Sequence, residues 1–309
     1  MKAGYLYTLM ALGSFGMLGI LNKLTEVKKC RPSAISALLC MWSAVMVCGF
    51  LVFFKHSGVS APAEVIVVAI LFGICGAIAT IAFLTGLKYG KISTSWLIIN
   101  LSSAVPAIAS ILVYGESVTL RKGAGLGVAA GALFLLYRDK EEEEELEQPA
   151  LAIEGSGNGS PRFRVKANKL LWLQLMFVAF LTNGLGSFGL KILAERHLSE
   201  QYQYQYLLFW YLSASIIAAI FFLARHSKPL KNEILMSAGM GLCSVLGQLG
   251  MVMALSSNVP GYLVFPLAIG GNLFIVVAGG LILFKEQLRS YGIVGLVVGV
   301  AALVILAIP

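Results

Sequence analysis

The sequence predicts an all-α membrane protein of ten transmembrane helices built as two inverted five-helix repeats. Three observations predict it: ten apolar runs of membrane-spanning length, a charged and small-residue break between the fifth and the sixth, and short motifs that recur in the same order on either side of that break.

The apolar content sets the solvent. Of 309 residues 58% are hydrophobic and only 12% charged, with a mean hydropathy of +0.86, more apolar surface than one soluble core can bury. A hydrocarbon core about 30 Å thick is crossed by roughly 20 apolar helical residues. Runs of that kind fall near 4–22, 34–54, 64–87, 92–114 and 122–137, then near 169–191, 204–224, 232–256, 261–284 and 291–308. They are continuously apolar, whereas barrel strands would be short and alternate lipid-facing with lumen-facing residues. The first run is longer than a signal-peptide core and no small-residue cleavage pattern follows Ile20, so it reads as the first helix.

Between the fifth and sixth runs stand Arg138, Asp139, Lys140, five glutamates from Glu141 to Glu145, Glu147 and a Gly/Ser/Asn/Pro stretch to Pro161. Such a segment forms no core and reads as a solvated tether. The chain therefore divides into a first repeat at 1–137, a linker at 138–168 and a second repeat at 169–309. Leu-Gly-Ser-Phe-Gly stands at Leu12–Gly16 and again at Leu185–Gly189, and Glu116 and Glu286 each close a fourth helix of their half. Gly123, Gly127 and Gly131 mark the fifth helix as Gly295 and Gly299 mark the tenth; small residues at fours predict close packing of these last helices. Five spans is an odd number, so the second repeat enters the bilayer from the opposite side. Inverted repeats suit a carrier whose halves rock about a shared midplane site.

Other class signals are weak. The net charge of +8 is spread over short loops, which fits anionic headgroups and topology; no nucleic-acid partner is expected. Four cysteines lie in apolar runs and Cys30 in a basic loop, without disulfide or metal spacing. No nucleophile motif, metal cluster or phosphate-binding glycine loop stands out, so neither enzyme activity nor a cofactor is expected. Lys and Arg number four after the first span, two after the third, six from Arg138 to Lys169, three after the seventh and two after the ninth, 17 of 23. The positive-inside rule puts those loops in the cytoplasm.

With Gly13-Ser14, Gly186-Ser187, Gly86-Leu87-Lys88, Ala254-Leu255, Pro106, Gly115-Glu116, Glu286 and Gly292 in these places, the chain resembles the EamA-type transporters of the drug/metabolite transporter superfamily, over everything but the linker. The resemblance implies a multi-pass protein, expected in the plasma (cell inner) membrane, that moves amino acids, sugars, nucleotide sugars or drug-like metabolites. Cytoplasmic termini, usual in that family, conflict with the charge count, and the orientation stays open.

Polar side chains inside the spans are the candidates for a solute site, because unpaired they are costly at bilayer depth. They are Asn100 and Ser102 with Ser103 on the fourth helix, Thr182, Asn183 and Ser187 on the sixth, Gln248 on the eighth and Asn272 on the ninth. Ser102 lies fourteen residues before Glu116 and Asn272 fourteen before Glu286; Gln248 matches Thr80 when the ends of the third and eighth helices are aligned. Each either lines a wet cavity or bonds a neighbouring helix. Pro106 and Pro266 free backbone groups inside their helices and mark hinges. Lys23 and Lys191 are expected to snorkel to the headgroups, and Tyr202, Tyr204, Tyr206, Phe209, Trp210 and Tyr211 to anchor the seventh helix at the interface. No carboxylate falls at mid-span, which disfavours proton/cation antiport. The expectation is a carrier of a small polar solute such as an amino acid, working by alternating access; the rivals are a flippase or exporter of amphipathic molecules and a membrane sensor or scaffold.

Overall fold

The computed structural model describes residues 2–28, 30–53, 58–86, 89, 98–116, 118–120, 123–125, 127–128, 130–132, 134–135, 138, 169–224, 228–283 and 290–307. Among them there is helix and no strand. Seven helices are long and apolar enough to cross a membrane: α1 (Lys2–Val27), α2 (Pro32–Phe53), α3 (Ala63–Gly86), then α6 (Lys169–Glu195), α7 (Ser199–Leu223), α8 (Lys231–Ser256) and the broken α9, which runs as Gly261–Phe265, Pro266–Gly270 and Asn272–Leu283. Shorter apolar helices are α4 (Ile98–Tyr114), α5 (Gly123–Ala132) and α10 (Ser290–Ala307). Linker residues 139–168, Glu286, Arg289, Arg121 and Lys122 lie outside the described residues.

Packing follows one scheme twice. Helix α1 lies on α8 as α3 lies on α6; α2 lies on α8 as α3 lies on α7; α1 lies on α9 as α6 lies on α4; and α2 meets α7 directly. Apolar side chains such as Leu6, Met17, Phe53, Leu112, Ile216 and Leu235 point away from these contacts, as lipid-facing positions do in a bilayer.

Both α4 and α9 are interrupted, and the residues say why. In α4 the hydroxyls of Ser102 and Ser103 donate to the carbonyls of Ile99 (2.5 Å) and Asn100 (2.9 Å), offering the backbone an alternative to the helical ladder. Pro106 has no N–H to give the Ser102 carbonyl, which takes the Val105 N–H instead in a tight turn at 3.0 Å. In α9, Pro266 opens a π-turn in which the Gly271 N–H reaches the Pro266 carbonyl at 2.9 Å. The breaks fall at Ser102 and just before Asn272, the two positions that sequence spacing equates.

The break in α4 is seated on α6. A Cβ built on Gly184 would stand 2.6 Å from the Ser102 carbonyl oxygen, so only glycine lets the two backbones meet there. Gly184→Leu is expected to cost about 2 kcal/mol or more by overpacking, read as a lower unfolding midpoint of the detergent-purified protein.

Two expectations need correction. Helix α7 begins at Ser199, earlier than the apolar run suggests, and it lies against α2 and α3 in the middle of the bundle. Tyr206 and Tyr211 are therefore fully buried instead of sitting at the interface, with the Tyr211 hydroxyl 2.8 Å from Ser244 Oγ. The glycine row of α5 does not pack closely against described residues: nothing lies within 4 Å of a Cβ at Gly127 or Gly131, whereas Gly299 of α10 is pressed on Phe274.

Candidate functional site

A cavity of about 260 Å³ runs into the bundle from the end where α1 passes to α2. Near its mouth stand Asn22, Thr25, Cys30 and Pro32; further in come Ser36, Cys40, Thr80, Phe83, Ile99 and Met240; Asn183 lies at the middle of α6. Five of its lining side chains carry a hydroxyl or amide: Asn22, Thr25, Ser36, Thr80 and Asn183. No Asp, Glu, Lys, Arg or His is among the described residues that line it.

The amide of Asn183 is held in place. Its Nδ2 donates to Ser102 Oγ at 2.6 Å, and that hydroxyl passes its own proton on to the Ile99 carbonyl. One side of the amide is thus fixed on the α4 break, and Asn183 Oδ1 keeps its acceptor capacity. Ser187 donates to the Asn183 carbonyl (3.3 Å) and Thr182 to the Val178 carbonyl (2.7 Å), both along α6 itself. Thr80 and Thr25 likewise bond carbonyls of their own helices, Gly76 and Asn22.

Of the residues singled out from the sequence, the structure brings Asn183 and Ser102 together at the cavity, with Thr80 on its wall. Asn100 is buried beside Ser102. Gln248 and Asn272 are half-buried on α8 and α9 and are not among the cavity residues. The sequence reading passed over Asn22, Thr25 and Ser36. They sit near helix ends, where polar residues are ordinary, and only the reach of the cavity to that end distinguishes them.

The opposite end carries a cluster of charges. Gly115 ends α4 in the left-handed region (φ 64°) with its N–H on the Ile111 carbonyl, the terminus glycine favours. The turn delivers Glu116 to the first residues of α9, where its carboxylate accepts the N–H groups of Gly261 (2.8 Å) and Tyr262 (3.2 Å). A carboxylate suits the positive end of the helix dipole. The same carboxylate meets Lys191 Nζ at 2.6 Å, which also contacts Glu195 and lies 5.5 Å from the Tyr114 ring centre. Lys191 is 4% exposed, so it is buried in an ion cluster and does not snorkel. Nearby, Arg196 pairs with Glu64.

At the cavity end Arg31 grips Glu233 through Nε (2.8 Å) and Nη2 (2.7 Å), and the carboxylate, wholly buried, also accepts the N–H groups of Arg31 and Leu230. That bidentate bond raises the Arg31 pKa from its ordinary value. Each end thus carries one arginine from the loop after an opening helix, α1 or α6, paired with a carboxylate that starts a third helix, α8 or α3, of the other half.

Helices of this length and apolarity define a multi-pass membrane protein. Residues 2–138, the first half of the chain, match the EamA-like transporter family. A solved crystal structure, described only as that of a protein, is 12% identical and superposes with a TM-score of 0.73 over 99% of this chain and 97% of that one, which speaks for a shared fold. No curated protein matches the chain.

Proposed function

We propose that this protein is a carrier that moves a small, neutral, polar solute across the membrane by alternating access. The observation that carries the reading is the cavity, which reaches Asn183 from one end of the bundle with five amide or hydroxyl side chains and no charged one among its described lining residues, while ion pairs and a capped helix gather at the other end. The packing scheme that occurs twice, and the helix breaks at Ser102 and Asn272, support two five-helix repeats, 1–137 and 169–309, of opposite orientation. Discontinuous helices at a repeat interface are where such carriers bind their cargo. Asn183, Ser102, Thr80, Ser36 and Asn22 are proposed to hold the solute, with Asn100, Thr182, Ser187, Gln248 and Asn272 close enough in the repeat scheme to join when the halves rock.

The rival reading as a flippase calls for walls with few polar groups; the five amide and hydroxyl side chains set among the apolar lining favour the polar solute. The absence of charge among the described lining residues favours a neutral or zwitterionic cargo over an ion.

Two measurements test this. A ligand present at 100 times its Kd adds about 2.7 kcal/mol to unfolding, so a panel of amino acids, sugars, nucleotides, amines and lipophilic cations is expected to yield a melting shift from one neutral polar class. Cysteine access reports the conformations: Ser36→Cys is expected to react with a water-soluble maleimide, and Gln205→Cys, buried at the charge-clustered end, to be protected. The exposed Arg196–Glu64 pair is worth up to about 1 kcal/mol, so Glu64→Ala with Arg196→Ala is expected to speed Gln205→Cys labelling up to about fivefold. Equal labelling at both ends with no ligand response from any class would leave no carrier.

A further inference from the structure

Beside the main cavity lies a second, smaller pocket of about 40 Å³, and the two share Ser36, Cys40 and Thr80 as walls. Beyond those three and Ser33 it is lined by Gly76, Ala77 and Ile81 of α3 on one side and Ala214, Ala218 and Phe221 of α7 on the other, with Trp210 closing the inner end, and the surface it exposes is almost wholly apolar. Its volume takes roughly three water-sized groups. The two spaces differ in chemistry across a shared wall: the larger reaches two amides as well as hydroxyls, the smaller reaches no amide and presents mostly carbon.

The pocket is built into the framework. Trp210 is fixed by its indole N–H on the Gly186 carbonyl at 3.4 Å, and its six-membered ring occupies the place of a side chain at Gly76, where a Cβ would stand 2.7 Å from Cζ2. Ala214 and Ala218 are buried on α7, and each lacks the bulk to fill the space in front of it. Helix α2 touches α3 little while both pack on neighbouring helices, and the pocket is the gap that results, floored by α7.

We infer that the apolar pocket is a specificity site for the cargo: the solute places a neutral hydrogen-bonding head by Asn183 and Thr80 and a compact apolar tail of three or four carbons between α2, α3 and α7 against Trp210. This rests on the reading of the main cavity as the solute site and adds what that reading leaves open, the shape of the cargo. Desolvating the tail supplies affinity, and the end of the pocket at Trp210 limits its length.

The test uses a homologous series with one neutral head, glycine, alanine, valine, leucine and phenylalanine, each titrated against the purified full-length protein with thermal stabilisation as readout. The Kd is expected to fall about fourfold per carbon that enters the pocket, so that leucine, with four such carbons, binds roughly 250-fold tighter than glycine, and to stop improving at phenylalanine. Ala214→Val, which fills the pocket, is expected to bring leucine and glycine within about twofold of each other, and Phe221→Ala to move the optimum toward phenylalanine. Should Ala214→Val fold poorly, the Phe221→Ala shift decides alone. A series that binds with no dependence on tail length but loses binding in Asn183→Ala overturns the side pocket and leaves the cavity reading standing. Binding unaffected by Asn183→Ala sinks the cavity reading itself, and no binding by any member overturns the proposed head and tail together.

Discussion

Lys191→Met is expected to destabilise the protein by about 3 kcal/mol, among the largest effects of any single substitution outside the apolar core. The ammonium is 4% exposed and the Glu116 side chain it meets is 11% exposed. Taking away one member of a buried pair leaves the other desolvated and uncompensated, which costs more than the intact pair ever contributes. The Gly261 and Tyr262 N–H groups still satisfy part of the carboxylate, which keeps the loss from being larger. Glu116→Gln placed on top of Lys191→Met is expected to restore about half of it, because the amide still accepts from the α9 N–H groups and no longer carries charge. Denaturant midpoints of the wild type, both single variants and the double variant give the coupling directly. Additive single effects would mean that the ammonium and the carboxylate act independently despite their 2.6 Å contact.

Asn183→Ala is expected to leave the fold nearly intact and to disable the site. Its amide makes one hydrogen bond to Ser102 Oγ, which keeps its own bond to the Ile99 carbonyl, so the stability cost is about 1 kcal/mol. A bound solute that loses its amide partner leaves a polar group unpaired, and the expected loss of binding is roughly 10- to 100-fold. Ser102→Ala removes what orients the amide without removing the amide, and its expected effect is smaller, under about tenfold. The check is the Kd of the best ligand beside the unfolding midpoint for each variant. Equal losses of stability and binding in Asn183→Ala would identify the residue as an interhelical bond and nothing more.

Seven of the ten expected spans stand as full-length apolar helices among the described residues, legible because bilayer thickness imposes one length on them, and Pro106 and Pro266 marked the helices that break. Asn183 stood out as an amide in mid-helix. The charge clusters were not legible. Lys191 sits near a helix end, where a lysine ordinarily reaches water, and its carboxylate partner comes from a helix distant in sequence. The burial of Tyr206 and Tyr211 depends on α7 lying between α2 and α3, a property of packing and not of the Tyr-rich stretch itself. Asn22, Thr25 and Ser36 escaped notice because the cavity is open toward their end of the bundle, and a sequence does not state which end is open.

The contacts that finish each end of the bundle join partners made at different times. Glu116 waits for Gly261, 145 positions later, and Arg31 waits for Glu233, 202 positions later. At a synthesis rate of about 5–20 residues per second, Glu116 is in place for roughly 7 to 30 seconds before its helix start exists. During that interval the early helices stand in the membrane with buried-type charges uncovered, so the first half of this protein is born dependent on water, headgroups or an insertion chaperone to shelter what the second half will later enclose.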